Sequence, residues 1–337
     1  MKKIAIAVAA TMTAATASAM DFTLYGIVDT GLGYTHVNTL NEPTENRFEE
    51  INGYNSGSRF GFKGTEDLGN GYSVSFVLEN GFSSDSGALG QGGRMFGREA
   101  QLKFHSPYGT LSFGRAGTLI SGAGTLDIWG VNADVLPGGW DGIFNIGNYQ
   151  GNGMRLDNMV TYQTPTAAGF TGYLQYSFAN DTVAGDDDDS RANEGSNRYF
   201  AAGLTYNNGP LGVVAVYDSV MFRHYSSGEV GQATGKNENP NVGDSRVLSI
   251  GGHYDFGVAR VTAFGQYVKG SRTGFGDGLG YSAIFWFNDS DEKENESYYY
   301  DADGYNFHLG AQFPLPCGRL YAGAYYGYLE ANADPDN

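Results

Sequence analysis

A single cysteine, Cys317, leaves this chain of 337 residues without a partner for a disulfide of its own, so no intrachain crosslink holds the fold. That cysteine sits in Pro314-Leu315-Pro316-Cys317-Gly318, a turn by composition. Nowhere do 18 consecutive apolar residues occur, which excludes a transmembrane helix. Helical periodicity of useful length is also missing, so no helical layer is available to cover an apolar sheet face. Positive charge is scarce, with 20 Lys and Arg against 37 Asp and Glu, which removes any electrostatic reason to bind nucleic acid. Proline is rare at 9 residues, whereas the 52 glycines are about twice the usual ~7% share and 24 Tyr and 21 Phe are abundant.

The N-terminus has the form of a secretory leader. Lys2 and Lys3 precede an apolar run from Ile4 to Ala10, and small residues continue to Ala17-Ser18-Ala19. Cleavage after Ala19 is expected, giving residues 1–19 as signal peptide and a mature chain from Met20. The run is short of the ~20 residues a membrane anchor needs, and Met20 in place of Cys argues against a lipoprotein. Without Lys2 and Lys3 the mature chain has 18 basic residues against 37 acidic, a net charge of −19.

The stretch SRFGFKGTEDLGNGYSVSFVLENGF, Ser58 to Phe82, alternates with period two. Phe60, Phe62, Tyr72, Val74, Phe76 and Leu78 form one face, while Arg59, Lys63, Ser73, Ser75 and Glu79 lie on the other. The Gly and Asn of Glu66–Gly71 suit a tight reversal. The same unit recurs along the chain as a strand, a short turn, another strand and then a long polar connection. Thirteen strands are expected: Phe22–Val37, the pair just quoted, Arg94–His105, Gly109–Arg115, Met154–Gln163, Gly169–Phe178, Arg198–Asn207, Leu211–Met221, Arg246–Asp255, Val258–Lys269, Tyr305–Phe313 and Arg319–Glu330. Long connections fall at Asn38–Asn55, Ala116–Gly153, Ala179–Asn197, Phe222–Ser245 and Gly270–Gly304, and they hold most of the acids.

A secreted β-sandwich would pair two apolar faces, but it would have uniformly short loops. An all-β transmembrane antiparallel barrel fits better, with apolar residues outward and polar residues inward, short turns at one rim and long loops at the other. Its closed sheet satisfies the backbone in lipid, and Arg59, Lys63 and Glu79 then face an aqueous lumen. Phe22, Tyr162, Phe170, Phe178, Tyr206, Tyr254 and Phe313, near strand ends, suit interfacial girdles.

The motifs DFTLYGIVDTGLGY, GSRFGFKGTEDLGNGYSVSFVLENGF, GRMFGREAQLKF, YGTLSFGRAG and RLDNMVTYQTPTAAGFTGYLQYSF resemble the general porins of Gram-negative bacteria, with the betaproteobacterial branch nearest. The resemblance is dense from Asp21 to about Phe178 and is one of pattern beyond that. It implies a 16-stranded barrel in the complete protein, assembled as a homotrimer in the outer membrane, in contact with lipid and lipopolysaccharide and passing small hydrophilic solutes and ions. It further implies that the third external loop, residues 116–153, folds into the lumen and narrows it.

Carried over residue by residue, Arg59, Lys63, Arg98, Arg115 and Arg155 resemble the family's basic barrel wall. The acid facing them is Asp141, in VLPGGWDG, with Asp134 and Asp127 as alternatives. Cations on the wall and carboxylates on the loop would set a transverse field across a narrow wet gap; the bland alternative is that the arginines pair locally to stabilise the wall. Arg98 poses a conflict, because it shares parity with Ala100, Leu102 and Phe104, opposite Glu99, Gln101 and Lys103. Either a bulge near Gly97 flips the phase, or the outer face here is a polar subunit contact, as the family favours.

Catalytic patterns are not found. The five histidines are scattered, and neither G-x-S-x-G nor H-E-x-x-H occurs. The glycines of GFGDGLG, Gly274–Gly280, lie in a long loop, so no enzyme activity and no cofactor are expected. The Asp186–Asp189 run reads as a solvated loop, with cation bridging to lipopolysaccharide as the alternative. Two functions remain: a passive diffusion channel, or an adhesin or structural barrel acting through acidic loops. The apolar residues Leu119, Ile120, Ile128 and Trp129 suit a loop packed in a lumen and favour the channel. An odd strand count cannot return both ends to one side of the membrane, so C-terminal strands are expected beyond Asn337, unless Gly280–Phe287 is a further strand of a smaller barrel.

Overall fold

A computed structural model describes residues 21–37, 45–53, 56–121, 124–126, 128–133, 155–180, 197–221, 244–271 and 301–332. Fifteen strands and two short helices are present among them: β1 (Asp21–Ile27), β2 (Thr30–Val37), β3 (Glu45–Asn52), β4 (Arg59–Gly69), β5 (Tyr72–Gly81), α1 (Gly90–Gly93), β6 (Glu99–Ser106), β7 (Gly109–Gly117), α2 (Ile128–Ala133), β8 (Arg155–Gln163), β9 (Phe170–Ser177), β10 (Arg198–Asn208), β11 (Leu211–Met221), β12 (Ser245–Asp255), β13 (Arg260–Ser271), β14 (Asp301–Leu315) and β15 (Gly318–Asn332). Thirteen strands form one antiparallel sheet in the order β1-β4-β5 and then consecutively to β15. They are the thirteen strands expected from periodicity. No helix among the described residues is long and apolar enough to cross a membrane.

The hairpin that opens the pattern shows why the sheet is two-faced. β4 and β5 pair Gly61 with Glu79, Lys63 with Val77 and Thr65 with Ser75, so the polar set lies on a single face. The reversal is shorter than expected, because Asn70 and Gly71 alone form it with φ of 55° and 80°, the signature of a two-residue Asn-Gly turn. On the opposite face Leu24, Leu102, Leu174, Leu204, Ile250 and Phe307 are exposed. Those side chains meet lipid in a transmembrane antiparallel β-barrel, and the inner face carries Glu99, Gln101, Thr161, Gln175 and Ser249, all buried.

The first expected strand is in fact two. The Asp29 main chain and side chain bond with Ser56 and Ser58, and its carbonyl also accepts from Gly53 and Ser84. Spent on these partners, Asp29 ends β1, and β2 turns away to pair with β3 as a separate hairpin, from Thr30↔Asn52 to Val37↔Glu45. β3 lies inside the segment expected to be a loop, where its charged sequence ENRFEEIN hides the alternation. β6 likewise begins at Glu99 and not at Arg94; the segment α1 before it is a short turn in which Gln91 and Gly92 have φ of 51° and 70°. β14 starts at Asp301, earlier than expected.

The inner face is not flat. Ala116 of β7, Met159 of β8, Tyr173 of β9, Tyr199 of β10, Val214 of β11 and Phe264 of β13 belong to one buried cluster, and Tyr321 of β15 packs against it. From β7 to β15 a flat sheet would extend ~38 Å at the usual strand spacing, so the wall must curl round a common centre. Leu119, Ile120, Ile128 and Trp129 occupy that centre.

Candidate functional site

The segment after β7 enters the lumen because its apolar residues find a dry socket there. Leu119 and Ile120 are completely buried, and the Trp129 ring meets Phe264 edge-on at 5.3 Å between centroids. Gln175 of β9 donates to the Gly117 carbonyl at 3.0 Å where the segment leaves β7. Helix α2 lies against β11, β12 and β13, and glycine makes this approach possible. A β-carbon at Gly251 would stand 2.7 Å from Ala133 Cβ, and one at Gly212 would stand 2.7 Å from Asn132 Oδ1. At the end of α2 the Arg260 guanidinium donates to the Val131 carbonyl at 2.6 Å, and His253 Nδ1 lies 2.9 Å from the Asn132 carbonyl oxygen.

Arginines gather on the wall of β4 to β8. Glu79 of β5 accepts from Arg98 Nε at 2.7 Å and from the Tyr25 hydroxyl at 3.0 Å, and Arg59 Nε lies 3.8 Å away. Asp157 of β8 is within 2.5 Å of Arg115 Nη1 and 3.4 Å of Arg94 Nη2. Lys63 stands over the Tyr25 ring, 5.5 Å from its centroid, and Lys103 is 3.3 Å from Glu99. Arg155 opens β8, and its Nε is buried without a hydrogen-bond partner among the described residues. Each carboxylate is shared between two partly desolvated guanidiniums, so losing it removes the acid from both at once and is destabilising.

Each of the five cations expected from the sequence lies on the lumen side, and four of them, Arg59, Arg98, Arg115 and Arg155, stand near the long-loop ends of their strands. Local pairing, the bland alternative, also operates: Arg59, Arg98 and Arg115 are all ion-paired to wall acids. The three acids expected opposite them, Asp127, Asp134 and Asp141, lie outside the described residues, as do Asp186–Asp189, Gly280–Phe287 and the leader. Four residues were missed as site members: Arg94, Lys103, Asp157 and Glu99. Asp157 shares parity with Arg155, a signal that was available. Arg94 lies in an irregular connection where alternation says nothing.

One expectation is corrected. Glu99 is 1% exposed and Gln101 is buried, so the Glu99–Lys103 parity faces the lumen, and Leu102 and Phe104 face outward. There is no polar outer face here to serve as a subunit contact. Arg98 reaches the lumen because regular alternation stops at Glu99, the first residue of β6, and its guanidinium turns in to Glu79. Arg115 does the same where the register against β8 shifts between Gly114 and Ala116.

Comparison with known proteins agrees with this geometry. The chain is 35% identical over 339 residues to an outer membrane porin protein of Bordetella pertussis, covering 94% of this chain and 82% of the relative. It is 30% identical over 282 residues to outer membrane porin protein 32 of Delftia acidovorans, covering 82% and 72%. Its fold is similar to that of the anion-selective porin from Comamonas acidovorans, with a TM-score of 0.61, 22% identity, and 93% and 80% of the two chains covered. With residues 5–337 matching the Gram-negative porin family, the chain belongs to that family.

Proposed function

We propose that this protein is an outer-membrane porin, a water-filled channel for passive diffusion of ions and small hydrophilic solutes. The observation that carries this reading is the pairing of an apolar outer face with a polar, arginine-bearing inner face around an inward-packed loop. The relatives are named as porins, and the adhesin alternative is disfavoured because Leu119, Ile120, Ile128 and Trp129, in the connection after β7, pack against the inner face of the sheet. The arginines and lysines named above, together with Asp157, Glu79 and whichever of Asp127, Asp134 and Asp141 faces them, form the constriction.

Anions are the favoured ions at this wall. Among the described residues Arg59, Arg94, Arg98, Arg115, Arg155, Lys63 and Lys103 face the lumen against Glu79, Glu99 and Asp157. The whole chain is acidic, with a net charge of −17, but its remote carboxylates are screened beyond a Debye length of ~8 Å at physiological salt. The near field therefore decides.

The channel works as a homotrimer in contact with lipid and lipopolysaccharide. Support comes from the family resemblance and from the aromatic outer surface of β1, β4 and β5, where Phe22 stacks on Phe62 at 5.9 Å and touches Phe76 at 6.4 Å. Purified protein added to a planar bilayer should insert in uniform conductance steps, each closing at high voltage through three equal levels. Folded protein that leaves the bilayer silent would remove the channel reading. Steps that close in a single level would remove the trimer and leave the channel standing.

A further inference from the structure

The loop inside the lumen touches the wall at two distant places. On β6 the Glu99 carboxylate accepts from Thr125 N–H at 2.8 Å, the Thr125 hydroxyl at 2.6 Å, the Gln101 amide at 2.6 Å and the Lys103 ammonium at 3.3 Å. Lys103 also bonds to the Thr125 hydroxyl. A few residues on, Trp129 meets Phe264 of β13, and Arg260 of the same strand holds the Val131 carbonyl. Along the sheet, β6 and β13 are seven steps apart, ~34 Å if flat. The chain from Thr125 to Trp129 extends ~14 Å at most. The segment is therefore a chord across a curved wall, with one end on Glu99 and the other on β13.

From this geometry we propose that Glu99 is the positioning residue of the channel: it pins the loop across the lumen as a strut and so fixes the aperture. The proposal rests on the channel reading above. Two of the four bonds to the carboxylate come from the loop, which a mere charge partner for Lys103 would not need. Carboxylate chemistry is also required in its own right. Oε1 faces the Gln101, Lys103 and Thr125 hydroxyl donors, and Oε2 faces the Thr125 N–H. An amide of the same shape must set its own N–H against at least one of these donors, so the set of four bonds cannot be kept. Close approach matters as well, since a β-carbon at Gly124 would stand 3.1 Å from Oε2.

The test uses the full chain with Cys317→Ser and a reporter thiol at Leu126→Cys, next to the contact and packed against the buried cluster. Glu99→Gln and Thr125→Val are each added to this background, with heat-dependent gel mobility confirming the barrel. Both variants should label with a maleimide about tenfold faster or more, and both should show larger open-channel current noise than the parent. Only Glu99→Gln should move the reversal potential in a salt gradient, because Thr125→Val changes no charge. Parental labelling rates in both variants would overturn the strut. So would a Glu99→Gln channel whose selectivity shifts while labelling and noise stay parental, since Glu99 would then act as a charge alone. If Glu99→Gln does not fold, a parental labelling rate in Thr125→Val overturns the strut by itself. A parent that never conducts would sink the channel reading, while the labelling rates would still report on the contact.

Discussion

Trp129→Ala is expected to raise single-channel conductance and current noise while leaving the barrel intact. Trp129 is 2% exposed and packs on Phe264 within the cluster that seats the loop. Truncating a buried Trp costs ~3–5 kcal/mol, which is a factor of ~10²–10⁴ in the docked-to-undocked ratio. That cost falls on the loop alone, because the strands are held by their own ladders, from Arg246↔Lys269 to Asp255↔Arg260 on one side of β13 and from Arg260↔Gln312 on the other. Backbone bonding of this kind does not depend on what fills the lumen. The variant should therefore keep heat-dependent gel mobility. Conductance and noise equal to the parent's would show that the loop is held without the aromatic contact.

Arg155→Glu should move the channel toward cation selectivity, since it changes the charge at the wall by two units in one substitution. The side chain opens β8 beside Arg98, Arg115, Glu79 and Glu99, so it acts on any ion that passes the cluster. In water a unit charge ~7 Å from an ion contributes ~0.6 kcal/mol, about RT. Replacing a cation by an anion applies that twice, with opposite sign for the two ions, and multiplies the cation-to-anion ratio by ~50 unscreened, or roughly tenfold at ~0.1 M salt. Arg155→Met should give about half the shift in energy, and it guards against misfolding from a buried carboxylate. Reversal potentials under a salt gradient provide the measurement. A value unchanged in both variants would place Arg155 away from the ion path.

How far the sequence could be read depended on where alternation persists. The β4–β5 register follows directly from the period of two, because one apolar residue out of phase would face the charged lumen side. The long strands β10 to β13 are equally legible. Alternation failed at the places that make the site. Arg98 and Arg115 turn inward where the pairing breaks, and no count of parity predicts a break. β3 was missed because ENRFEEIN carries charge on both faces, as a hairpin outside the apolar band can. The inward loop was legible from Leu119, Ile120, Ile128 and Trp129, four apolar residues in a segment with no sheet face to supply. Its attachment to Glu99 was not, since the contact joins β6 to a residue outside any periodic element.

The socket for the loop has a consequence for the order of assembly. Leu119, Ile120, Ile128 and Trp129 dock on Tyr199, Val214 and Phe264, all of which lie far downstream in the chain. The loop is made before its socket, and the contacts that seat it must wait for the closure of long chain segments. Through insertion of the early hairpins its apolar residues remain unpaired, an interval in which an incomplete chain exposes them to any chaperone or protease nearby. Seating of the loop is thus a late event: Trp129 cannot meet its aromatic partner until β13 supplies Phe264.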